Sequence, residues 1–111
     1  MKTLEIKLRV GNSKEILNEL CEHYYWRFYK NAMDQVFFMY TYFDDYGDQY
    51  NTLIPIDAKN SKTLRVRVCK YYFGRFARAL FDYIVEDIWE FINSYVNELE
   101  EIKFAEMKAN E

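Results

Sequence analysis

The chain is poor in the residues on which most catalytic and metal-binding motifs depend. Its three glycines, Gly11, Gly47 and Gly74, are too few and too scattered to build a phosphate-cradling loop. One histidine, His23, and two cysteines, Cys21 and Cys69, cannot close a four-ligand zinc site without carboxylates. Two cysteines give no disulfide framework to read, and both are expected as reduced thiols. Ser13, Ser61 and Ser94 are the only serines, so any Ser-His-Asp arrangement has to use His23, which has no serine near it in sequence. Cys21 and His23 stand two apart on one expected helix and do not share a face. Asp44, Asp45 and Asp48 gather around Gly47 without the alternate spacing of an EF-hand loop, and read as an acidic hairpin turn. No apolar run is long enough to span a bilayer, and no basic-then-apolar leader opens the chain, so neither a membrane-spanning nor a secreted protein is expected. No catalytic residue, metal ligand or cofactor is assigned.

Apolar and aromatic residues are abundant instead. Half of the 111 residues are hydrophobic and a fifth are aromatic, with eleven Tyr and nine Phe. That excludes a disordered chain and suits one domain over residues 1–111. Residues 3–10 alternate: Leu4, Ile6, Leu8 and Val10 on one side, Thr3, Glu5, Lys7 and Arg9 on the other, which predicts a strand. Asn12 and Glu15 form a capping box, and Ile16, Leu17, Leu20, Cys21, Tyr24 and Phe28 make a helical stripe ending near Asn31. Val36–Phe43 reads as a central strand buried on both faces. Residues 49–56 form a third strand, which Pro55 marks as an edge or as ending there. A polar turn at 57–61 precedes an alternating fourth strand from Thr63 to Tyr72. The order β-α-β-β-β-α predicts an α+β two-layer domain: a four-stranded, mostly antiparallel sheet with helices on one face.

The last helix is read from Arg75 to Ala109, 35 residues and about 52 Å long. It should overhang a sheet whose ten-residue strands span about 33 Å. Leu80, Ile84 and Phe91 lie near the centre of its apolar face, while Val85, Trp89 and Val96 lie to one side, beyond what one sheet easily covers. A twofold homodimer through Val85, Trp89, Val96 and Trp26 is the simplest cover. Residues 105–111 are polar and are expected to fray.

The net charge of -3 conceals a strong segregation. Residues 1–57 carry six cations and nine acids; residues 58–81 carry seven cations and no acid; residues 82–111 carry two cations and nine acids. If the polar faces of the first and fourth strands lie together, Lys7, Arg9, Arg65, Arg67 and Tyr71 share one surface, with Arg75 and Arg78 at the start of the long helix. Such a surface suits phosphates and bases, although Phe73-Gly74-Arg75-Phe76 is not the RNP1 pattern of an RRM. The acidic stripe Asp82, Glu86, Glu90, Asn93, Asn97 and Glu101 is the wet side of an amphipathic helix. Tyr-, Lys-, Glu- and Asn-rich, Gln-poor usage points to an AT-rich genome, archaeal or viral. The expectation is a non-enzymatic binding protein of the cytoplasm (a host's, for a viral chain). It acts as a homodimer on an unknown protein partner, as accessory factor or inhibitor; the alternative is nucleic-acid binding on the basic sheet face.

Overall fold

Alternation over the first residues produces strand β1, Lys2–Lys7, with Ile6 buried and Thr3, Glu5 and Lys7 exposed. The computed structural model describes residues 1–110. Gly11 turns the chain at φ 73. Helix α1, Ser13–His23, starts where the capping box predicts, the Glu15 N–H donating to Asn12 Oδ1 at 2.9 Å. It stops at His23, not near Asn31. Phe28–Lys30 is strand β2. Four residues make about one helical turn but also two strand repeats, so Phe28 reaches the core at the spacing read as helical.

Strands β3 (Val36–Phe43), β4 (Gln49–Asn60) and β5 (Thr63–Val68) follow. The sheet has five strands, not four, in the order β1-β5-β4-β3-β2, every neighbouring pair antiparallel. The polar turn expected at 57–61 shrinks to a short hairpin turn, because β4 runs on to Asn60.

Pro55 marks no edge: β4 is the central strand. The Met39 N–H donates to the Arg27 carbonyl at 2.7 Å and the Asn31 N–H to the Gln35 carbonyl at 3.0 Å. Odd residues of β3 therefore bond toward β2 and even ones toward β4. In β4 the even residues bond to β3 and the odd ones turn to β5. Pro55 lacks its donor only on the β5 side, where the ladder begins one residue later, at Ile56 and Val66.

One set of alternate residues forms the core. Ile6, Leu64, Val66, Ile54, Ile56, Val36, Phe38 and Phe28 are all buried. Residues of the last helix pack on this set: Tyr95 lies 5.5 Å from Phe28 and Phe91 6.4 Å from Phe38, between ring centroids. After β5 come a 3-10 turn at Lys70–Tyr72, a four-residue helix α2, Arg75–Arg78, and helix α3, Phe81–Ala109. The single long helix is thus broken at Ala79–Leu80. Tyr42 and Thr52 hold the connection: the Gly74 N–H donates to the Tyr42 hydroxyl at 3.0 Å, and the Thr52 hydroxyl to the Tyr72 carbonyl at 3.0 Å. A Cβ at Gly74 would sit 2.8 Å from the Phe76 ring.

The buried seam of α3 is Ile84, Val85, Ile88, Ile92, Val96 and Leu99. It is rotated from the expected centre, leaving Leu80 60% and Phe91 42% exposed. Beyond Glu100 no described residue of α3 is buried: Lys103 pairs with Glu15 and Glu19 of α1, Phe104 lies under the Arg9 guanidinium, and Ile102 and Met107 are exposed. The helix continues through the expected frayed tail to Ala109; Glu111 lies outside the described residues. No helix among the described residues is long and apolar enough to cross a membrane.

The Tyr40 hydroxyl donates to Asp87 Oδ2 at 2.7 Å. Burial, then this bond, pushes the phenol's ionisation above the ordinary tyrosine range. The neutral phenol is favoured in the fold, so its contribution is complete below about pH 10 and is lost as pH rises toward the folded-state value. A Tyr40→Phe variant is expected to be less stable at neutral pH and to lose stability less steeply above about pH 10, as urea unfolding across that range will read.

Candidate interaction surface

The second face of the sheet carries the other alternate residues, and most of them meet solvent. Strands β1, β5 and β4 contribute Thr3, Glu5, Lys7, Arg65, Arg67, Asp57 and Leu53; β3 and β2 contribute Phe37, Met39, Phe43 and Tyr29. The face divides into two chemically distinct halves.

The half over β1 and β5 is cationic. Asp57 Oδ2 lies 2.8 Å from Arg67 Nε and 3.9 Å from Arg65 Nη2. The Arg67 contact is an ion pair without the angle of a hydrogen bond, and the buried Nε groups of both arginines donate to no group of the chain. Lys59 pairs with Glu5, and that contact holds the Glu5 carboxyl below its ordinary range. Lys7, Lys59, Arg65 and Arg67 thus outnumber Glu5 and Asp57, leaving a positive surplus. The half over β4, β3 and β2 is apolar at Tyr29, Phe37, Met39 and Leu53, and the paired Thr41 and Asn51 separate these from Phe43. Tyr29, Leu53 and Phe43 are exposed, Phe37 and Met39 half-buried, and the Tyr29 and Phe37 rings lie 6.5 Å apart. Aromatic residues, Met and Arg together are what protein interfaces concentrate.

The residues singled out for nucleic acid do not all assemble here. Lys7, Arg65 and Arg67 share the exposed face. Arg9 does not: it lies beyond β1 and turns to α3, with Nε 3.4 Å from Glu100 and Nη2 3.2 Å from Glu101. Tyr71 belongs to the 3-10 turn and carries Arg78 over its ring at 4.9 Å. Arg75 and Arg78 sit on α2, not at the start of the long helix, whose first turn holds Asp82. Lys70 and Arg78 still line a pocket with Phe81, Asp82 and Tyr83 at the start of α3, while Arg75 is not among its lining residues.

The residues singled out for dimerisation also separate. Val96 is fully buried and Val85 8% exposed, so these two belong to the core of the single chain. Trp89 is 39% exposed and lines a groove along β1. Trp26 is 52% exposed, with ring centroids 5.8 Å from Tyr24 and 5.2 Å from Tyr25. It stands between α1 and β2, at the sheet edge opposite β1.

No family model, curated protein or solved structure matches the chain. The site is therefore argued from its own chemistry. Asp44, from the acidic turn, is engaged in closing the β3–β4 hairpin: its Oδ1 accepts the Tyr46 and Asp48 N–H groups, each at 2.9 Å, and its Oδ2 the Tyr50 hydroxyl at 3.1 Å. Cys21 and Cys69 are free, half-buried thiols. Among the described residues no group of three or more His, Cys, Asp or Glu is placed to hold a metal ion. Sequence reading missed Tyr29, Phe37, Met39 and Leu53. The signal for Phe37 and Met39 was present, since they are the odd residues of a strand whose even residues fill the core; Tyr29 was hidden in the residues read as helix.

Proposed function

We propose that this chain is a small binding protein that acts by protein–protein recognition, as an accessory factor or inhibitor does. The reading takes the fold as two layers, with the helices on one side and the second sheet face free to bind. One observation carries it: an aromatic and apolar half adjoins a half with surplus cations on that face. The partner then has an apolar centre flanked by acidic groups. Apolar anchors supply most of the affinity, and the charges supply orientation and association rate. The acting species is a homodimer of the cell interior (a host's, for a virus-encoded chain), where free thiols persist.

A second reading, single-stranded nucleic acid, is favoured by Tyr29 and Phe37 lying on the same face as Lys7, Arg65 and Arg67. Bases would stack on the rings and phosphates meet the cations. Both readings are tested by capture from the native host with wild type and an Arg65→Ala/Arg67→Ala variant, with and without nuclease. A protein retained after nuclease, and retained about tenfold less by the variant, is the expected result. Capture abolished by nuclease, together with salt-dependent binding of purified RNA or DNA, transfers the assignment to nucleic acid. Equal capture by both chains refutes the role given to the cationic half of the face.

A further inference from the structure

The free edge of β1 has an architecture that the exposed face does not share. The Leu8 N–H donates to the Lys62 carbonyl at 2.8 Å, which fixes the even residues of β1 as those bonded to β5. The N–H and C=O groups of Thr3, Glu5 and Lys7 therefore point away from the sheet, and no described strand lies beyond them. Beside this edge, toward α3, lies a groove of about 450 Å³ lined by Lys2, Leu4, Asp82, Val85, Glu86 and Trp89. Its floor is apolar, its helix wall is acidic, and Trp89 stands in it 39% exposed. A bare strand edge beside an apolar groove is a template for one more strand.

We propose that the added strand is β1 of a second copy of this chain, paired antiparallel about a twofold axis at Thr3. Charge complementarity selects both occupant and register. In β1, Lys2, Leu4 and Ile6 face the helices, so a second β1 presents a lysine and apolar side chains to the groove. An axis at Glu5 would set two Glu5 carboxylates directly opposite each other, which is unfavourable. An axis at Leu4 would set the second copy's Lys2 opposite Ile6, which is not among the residues lining the groove. An axis at Thr3 pairs Thr3 with Thr3 and sets the second copy's Lys2 opposite Leu4, beside Glu86 and Trp89. The lysine stem then covers the indole while its ammonium meets the carboxylate, and symmetry repeats the contact. Glu5 keeps its Lys59 partner. The two sheets join into one of ten strands, and the cationic halves of the two exposed faces come together at the axis.

The test is oligomeric state by sedimentation velocity and light scattering from about 1 to about 100 μM, a range that spans micromolar affinity. Wild type is expected to dimerise in that range. Lys2→Glu and Glu86→Lys are each expected to raise the dissociation constant about tenfold or more, and the double exchange to restore it to within a few-fold. Thr3→Pro removes an outward N–H while sparing the β1–β5 ladder, so it is expected to weaken the dimer with the far-UV spectrum unchanged. A wild type that stays monomeric at about 100 μM overturns the proposal. So does a dimer indifferent to Thr3→Pro and to both charge reversals. The β1 pairing rests on the homodimer of the proposed function: a monomeric wild type removes both, a dimer indifferent to these variants removes only the pairing, and neither result bears on the partner of the exposed face.

Discussion

Replacing Glu100 with alanine is expected to remove about 2–4 kcal/mol of folding stability. The side chain is 1% exposed, and its Oε2 accepts two backbone donors, the N–H groups of Arg9 at 2.5 Å and Val10 at 3.2 Å. These amides follow β1 into the Gly11 turn, so the carboxylate ties that turn to α3. Truncation leaves both donors without their acceptor, which costs more than the loss of a surface ion pair. The controls separate the two effects. Arg9→Ala breaks ion pairs of a half-exposed arginine and its contact with the Phe104 ring, leaves both backbone donors in place, and should cost less than Glu100→Ala. Glu100→Gln keeps one carbonyl acceptor and should fall between. For a chain of this size the alanine variant should lower Tm by roughly 10–20 °C, read by circular dichroism with urea unfolding alongside. A Glu100→Ala loss no larger than that of Arg9→Ala would show that the backbone contacts do not matter.

Phe38→Ala should cost about 3–5 kcal/mol, while Phe37→Ala one residue away should cost less than about 1.5 kcal/mol. Phe38 is 1% exposed and packs between Phe28 and Phe91, at centroid distances of 5.4 and 6.4 Å. Removing its ring opens a cavity in the middle of the core. Against a total stability of about 5–15 kcal/mol, that loss can leave the domain partly unfolded at room temperature. Phe37 sits half-buried on the opposite face, against Tyr29. Its truncation is expected to leave the fold standing and to weaken partner capture. Chemical unfolding of both variants, compared with their capture behaviour, checks the contrast. Equal destabilisation would mean that β3 is buried on both faces.

That contrast shows how far the residues alone could lead. Strong local signals were legible: the alternation that makes β1, the Asn12–Glu15 cap, and a long helix near the C-terminus are all present. Non-local placement was not. Tyr24 and Phe28 have a spacing common to helix and strand, so the three-residue β2 was absorbed into α1. Pro55 reads as an edge because a missing donor is costly in a sheet interior. Only the register reveals that its donor side lies where the β5 ladder has not yet begun. Val85 and Val96 look like surplus apolar residues on a helical wheel, and the turn of α3 against the sheet makes them core. The cationic segment spanning residues 58–81 is continuous in sequence but divided in space. Arg65 and Arg67 stay on the exposed face, while Arg75 and Arg78 leave with α2.

The claim that the exposed sheet face is where the partner binds is tested most directly by footprinting the complex. Carbene or hydroxyl-radical labelling of the chain, alone and with its captured partner, reads side-chain accessibility one residue at a time. The account predicts protection of Tyr29, Phe37, Met39 and Leu53, with Arg65 and Arg67 at the margin of the footprint and α3 from Glu101 to Ala109 labelled as before. Protection confined to the helices, with Tyr29 and Leu53 labelled equally in both states, would contradict it.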